Sequence, residues 1–184
     1  MKQHILPAIK LTAICLVFFS VIYPLVIWVI AKASPGHGEG ETVSVNGKIV
    51  GYALEGQSFT QDKYFNGRPS AVNYNAAGSG GSNKGPSNPE YLKEVQNRID
   101  TFLVHNPTVK KEAIPSELVT ASGSGLDPDI TLQGALVQVN RIARARNISN
   151  EKIEALIQSQ KNKSLNGIEK LNVLQLNIAL DKLK

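Results

Sequence analysis

The sequence predicts an α+β domain carried behind a single N-terminal transmembrane helix, on three observations. Leu11 to Ala31 is a run of 21 uncharged residues. Asn46-Gly47 stands between two β-rich runs in Thr42 to Phe59, TVSVNGKIVGYALEGQSF. Beyond Asn88 apolar residues recur at helical spacing, with no alternation of strand and helix that would mark a parallel α/β sheet. One compact extracytoplasmic domain with a β-hairpin and several helices is therefore expected behind the span.

As a helix, the uncharged run would extend about 31 Å, close to the thickness of the hydrocarbon core. Trp28 is placed for a membrane interface. A cleaved signal peptide is the competing reading, because Ala31-Lys32-Ala33 has the A-x-A form. Against it, the apolar run exceeds the roughly 7–15 residues of a signal core, and Pro35 would be the second mature residue. Lys2, Lys10 and the terminal amine precede the span, whereas Lys32 is followed by Glu39 and Glu41. The positive-inside bias then makes 1–10 a short cytoplasmic N-terminus, 11–31 the transmembrane helix, 32–41 a linker and 42–184 the extracytoplasmic domain. Pro24 lacks an amide hydrogen and should free the carbonyl of Ser20, kinking the helix. Ala13, Ser20 and Pro24 share one face, a seam that fits a second transmembrane helix or that a lone anchor tolerates. Cys15, inside the run, reads as a small packing residue.

Ser34 to Glu41 (SPGHGEGE) has linker composition. Asn46-Gly47 is the strongest short signal for a tight hairpin. Gln61 to Asn88 is rich in Gly, Pro, Asn and Ser, and so long a loop in a compact domain is usually functional or disordered. Pro89 opens a helix with Leu92, Val95, Ile99, Phe102 and Leu103 on one face, and Asn106-Pro107 stops it. Thr131 can cap a second helix bearing Ala135, Leu136, Val139, Ile142 and Ala143. Ser149 can cap a third, with Glu151 in its first turn and Ile153, Leu156 and Ile157 inward. A last helix runs near Val173 to Leu180.

Composition narrows function. Hydrophobic residues make up 42% of the 184 and charged residues 19%, which excludes wholesale disorder. A single Cys and three His leave no disulfide framework or thiolate metal site. The net charge of +5 invites a nucleic-acid reading, but Lys2, Lys10 and Lys32 account for three of the excess charges, leaving 17 basic against 15 acidic side chains after residue 32. Arg141, Arg144 and Arg146 are the largest basic cluster, and they read as a solvated helix face or as salt bridges to a partner. No nucleic-acid partner is expected.

Ala77 to Gly85 (AGSGGSNKG) holds four glycines whose amides could converge on an anion, but the Walker order is absent because Lys84 precedes Gly85. An ordered surface loop held by its own Ser and Asn is the alternative. Ser122 to Asp129 (SGSGLDPD) could suggest hydrolysis, yet His4, His37 and His105 supply no base paired by sequence. Asp127 and Asp129 fall short of a calcium loop and read as turn residues. Tyr64, Phe65 and Arg68 have interface-anchor character, and the two aromatics could equally close the core.

Several strings together resemble a known family, the C subunit of the Kdp-type potassium-transporting ATPase. They are YFNGRPSA (64–71), SGGSNKGPSNP (79–89), IPSELVTASGSGLDPDI (114–130), QVNRIARARNIS (138–149) and NVLQLNIALDKL (172–183), behind a short amino end and one apolar span. The resemblance covers essentially the whole chain. It implies a non-catalytic subunit of a bacterial inner-membrane complex with a channel-like A subunit, a P-type ATPase B subunit and a small F subunit. It also implies a chaperone role that raises the B subunit's affinity for ATP, so that ATP is reached through the complex and no cofactor is firmly held. That account makes Ser79, Gly80, Gly81, Ser82 and Asn83 resemble a nucleotide-signature loop. The derived topology conflicts with it, because ATP is cytoplasmic and residues 33–184 should lie outside. Docking on membrane partners is the favoured reading, with Ala13, Ser20, Pro24, Tyr64, Phe65 and Arg68 as contacts. Direct nucleotide binding, or an independent anchored solute-binding or enzymatic domain, is the alternative.

Overall fold

The computed structural model describes residues 2–163, 167 and 169–183. The chain forms two compact units, residues 1–42 and 43–184.

The first unit is helical from its start. Helix α1 (Lys2–Val17) runs into a π-helical turn (Phe18–Ile22) and on into α2 (Tyr23–Ala33), so helix also covers the residues read as a short N-terminus. Gln3–Ala33, 31 residues, is long and apolar enough to cross a membrane. The irregularity expected at Pro24 takes the form of the π turn. Pro24 lies in the first turn of α2, and the amide of Tyr23 donates five residues back to the carbonyl of Phe18. Widening the turn there relieves the clash that a proline ring makes with the carbonyl four residues earlier. After Ala33 the linker turns at Gly36 and His37, with φ of 76° and 53°. The Ser34 hydroxyl donates to the Ala31 carbonyl at 2.6 Å, satisfying one of the helix's last acceptors.

In the second unit, β1 (Thr42–Val45) and β2 (Lys48–Tyr52) form the expected hairpin. Asn46 and Gly47 take φ of 52° and 75°, the two left-handed positions of a type I′ turn. Helix α3 (Pro89–His105) has Asn88 as its cap, the side-chain oxygen accepting from the Tyr91 amide at 3.0 Å. The second expected helix is two: α4 (Leu132–Leu136), capped by the Thr131 hydroxyl at 3.0 Å from the Gly134 amide, and α5 (Val139–Arg146). The break falls at Gln138, whose buried side chain turns onto the loop at Asn66. In α6 (Asn150–Gln160), Ser149 stands at the cap position but its side chain makes no cap bond. The Glu151 carboxylate takes a main-chain amide and the Ser149 hydroxyl instead, and these hold it below its ordinary titration range. Helix α7 (Val173–Asp181) completes the set.

A three-stranded antiparallel sheet adds to this. Its strands are β3 (Asp129–Thr131), β4 (Asn162–Lys163) and β5 (Glu169–Asn172), in the order β3-β5-β4. Ile130 pairs with Leu171, and both point into the core. That core joins Phe65, Ile142, Ile153, Ile157, Leu176 and Leu180 across the loop and α5, α6 and α7. Helix α3 buries no residue fully, and Leu92, expected to face inward, is 53% exposed.

Candidate functional site

The centre of the second unit is a short stretch of loop, Asp62 to Arg68, whose main chain is bound by side chains. Asn177 of α7 brackets Phe65, its carbonyl oxygen accepting from the Phe65 amide at 2.8 Å and its NH2 donating to the Phe65 carbonyl at 3.0 Å. Gln138 does the same for Asn66, at 2.8 and 3.2 Å. Arg141 donates to the carbonyls of Asp62 and Tyr64, at 2.5 and 3.0 Å, and to the side chains of Asn66, Gln138 and Asn106. Two helical side chains and one from the turn before α5 thus satisfy main-chain groups that a neighbouring strand would otherwise pair.

Arg141 therefore lies where a solvated helix face was expected. It is 4% exposed, and its donors are met by fixed carbonyls, which is what lets a guanidinium stay buried. Burial pulls its titration down from the ordinary value, with Asp62 opposing the shift. Arg144 is exposed, and Arg146 pairs with Asp181 at 2.6 Å while its guanidinium stacks on the Tyr64 ring. The sequence passed over Gln138 and Asn177, and it gave Arg141 to a solvated helix face or to salt bridges with a partner. The available signal for Asn177 was its position one turn past Leu174 on an inward helical face, whereas Gln138 stands in the turn before α5 and carried no such mark.

This frame decides what the candidate anchors can reach. Phe65 is 0% exposed and closes the core, so it presents nothing to a partner. Tyr64 keeps surface between the Lys63 ammonium and Arg146, and its hydroxyl donates to Asp181 at 3.1 Å. It borders a groove of about 490 Å³ shared with Val45, Asn46, Val50, Phe59 and Leu174. Arg68 is held by Asp127 at 2.9 Å, and its Nε is buried without a partner among the described residues. A second cleft of about 470 Å³ lies under α3, where His105 meets Asp62 at 2.8 Å.

The two glycine-serine strings come together. Ser79 Oγ and the Gly80 amide both donate to the Ser124 carbonyl, at 2.9 and 2.8 Å. Gly81 packs so closely that a Cβ there would stand 3.0 Å from the Gly123 carbonyl oxygen. Ser82 is half-buried and Asn83 exposed, and Lys84 faces Glu90 and Glu94 at 3.7 and 3.9 Å. Two of the loop's donors are thus spent on the protein itself, and its lysine is matched by carboxylates. Ser122 is buried with its amide on the Pro69 carbonyl, whereas the His105 ring is engaged with Asp62. Asp129 sits on β3, where burial and the neighbouring Asp127 push its carboxyl up, against the pull of Lys170. Among the described residues, no three His, Cys, Asp or Glu side chains group as metal ligands. In the first unit, Ala13, Ser20 and Pro24 are all exposed along the apolar helix.

Known proteins align with this chain from end to end. The family described as "K+-transporting ATPase, c chain" (KdpC) matches residues 5–182. A protein of Flavobacterium psychrophilum named potassium-transporting ATPase KdpC subunit is 57% identical over 99% of this chain and 100% of its own length. Namesakes from Flavobacterium johnsoniae and Bacteroides fragilis are 57% and 54% identical, again over 99% of the chain and 100% and 98% of their own lengths. These matches run through the apolar helix, the clamped loop and both glycine-serine strings, and the chain belongs to the KdpC family of potassium-transporting ATPase subunits.

Proposed function

We propose that this chain is an accessory, non-catalytic subunit of a high-affinity, ATP-driven potassium import complex, needed for assembly and activity. It is anchored in the bacterial inner membrane by residues 11–31, with residues 1–10 in the cytoplasm and 42–184 outside. Its work is docking on the channel-like A subunit, the P-type ATPase B subunit and the small F subunit. The observation that carries this reading is full-length membership of a transport-ATPase subunit family together with one 31-residue apolar helix. The seam at Ala13, Ser20 and Pro24 would meet a partner helix, while Tyr64 and Arg68 would meet a partner outside the bilayer. Any chaperone effect on ATP affinity then reaches the ATPase subunit through membrane helices.

Direct nucleotide contact at Ser79–Asn83 is the second reading, and the docking role is favoured over it because Ser79 and Gly80 already donate to Ser124. Co-purification from gently solubilised membranes tests the proposal. A complex retaining the channel-like and ATPase subunits is expected; a lone monomer, with potassium uptake intact after its deletion, would remove the subunit role.

A further inference from the structure

The sequence contains Asn-Gly at 46–47, 66–67 and 166–167, and Asn166 lies outside the described residues. The first two pairs stand in opposite surroundings. Asn46 is exposed at the hairpin tip, and its side chain makes no hydrogen bond among the described residues. A Cβ added at Gly47 would meet nothing within 4 Å, so solvent has free access to the peptide group between the two. At Asn66 every polar group is engaged. Its NH2 donates to the Phe59 carbonyl, its side-chain oxygen accepts from Arg141 at 2.7 Å, and Gln138 takes its amide and carbonyl at 2.8 and 3.2 Å.

We infer that Asn46 is a site of spontaneous deamidation and that the buried clamp shields Asn66 from the same chemistry. The Gly47 amide nitrogen gives up its proton to solvent and attacks Asn46 Cγ. As that C–N bond closes a five-membered imide, the Cγ–Nδ2 bond breaks and ammonia leaves, taking a proton from water. Water then opens the imide at either carbonyl, producing aspartate or isoaspartate. One water is consumed and one ammonia released, with no oxidant or cofactor. The side chain and the Gly47 amide must first swing together, and a two-stranded hairpin frays readily enough to allow it. Freeing Asn66 requires breaking the Arg141 and Gln138 contacts in the core, an opening close to global unfolding. Conversion matters locally because Asn46 borders the groove beside Tyr64 and Asp181. The product adds a negative charge there, and isoaspartate lengthens the main chain of a two-residue turn by one carbon.

The test incubates the full-length chain in detergent at mildly alkaline pH and follows each peptide by mass spectrometry, with isoaspartyl methyl-transfer as a second readout. Conversion at Asn46 is expected to outpace that at Asn66 by about tenfold or more while the domain is folded. In strong urea the two rates should converge to within about twofold, since the dipeptides are chemically alike. Asn46→Gln should abolish the early product. Equal rates in the folded chain, faster conversion at Asn66, or an Asn46 that reacts only in urea would each overturn the inference.

Discussion

Arg141 illustrates how one residue organises this domain. Its five hydrogen-bonding contacts join a loop, an asparagine past the end of α3 and the glutamine that precedes its own helix, all in surroundings that exclude water. Replacing it with Met removes the charge but strands the carbonyls of Asp62 and Tyr64. Replacing it with Lys keeps the charge on a group that cannot reach the same fork of acceptors. Both substitutions should cost about 3 kcal/mol, read as a lower urea midpoint of the detergent-solubilised chain. Asp129 offers a titration test. A carboxyl whose native pKa lies above its unfolded value contributes most to stability when protonated, and that contribution is lost as pH rises from the unfolded value through the native one. Asp129→Asn removes this loss. The stability of the variant relative to the parent should therefore improve as pH rises through and above the ordinary carboxylate range, as measured by paired urea titrations. A decline over that range would mean that the pairing with Lys170 outweighs burial and Asp127, overturning the prediction.

At the scale of elements, local signals and packing part company. The hairpin turn and the caps of α3, α4 and α7 formed where the residues demand them, because an Asn-Gly pair or an Asn or Thr before a helix satisfies its partners within a few positions. Helix α3 has the apolar spacing of a core helix yet lies at the margin, with Leu92 exposed, while Leu176 of α7 is fully buried. The two leucines should respond very differently to truncation. Leu92→Ala is expected to change stability by less than about 0.5 kcal/mol, whereas Leu176→Ala should cost about 2–5 kcal/mol. Comparable midpoints in the two variants would mean that α3 packs more tightly than its exposure implies. Strands β3, β4 and β5 leave no mark in the sequence because they are only two to four residues long, too short for an alternation to register.

For the whole molecule, the question is which side of the membrane holds the second unit. The sole native cysteine, Cys15, lies inside the apolar helix. A Ser82→Cys chain with Cys15→Ala should react with a membrane-impermeant thiol reagent in cells whose outer membrane alone is permeabilised. Labelling only after lysis, at Ser82→Cys and at a linker site such as Gly40→Cys, would place the loop in the cytoplasm and revive the nucleotide reading. The net charge of +5 bears on this question more than on any ligand, since three of the excess charges frame the span.

The sequence by itself determined the apolar span, the hairpin, the caps of α3 and α4 and the presence of several helices, and its long strings were specific enough to place the chain in its family. Each of these depends on residues close together in the chain, where sterics and hydrogen bonding act within a turn or two. Only the tertiary structure decided that Arg141 is buried, that Phe65 is core, that the second helix breaks at Gln138 and that the Ser79 and Ser122 strings meet. Those outcomes rest on partners 35 to 112 residues apart. A polar side chain carries no mark of whether a distant carbonyl will complete it; burial follows only once the fold has brought the acceptor within reach.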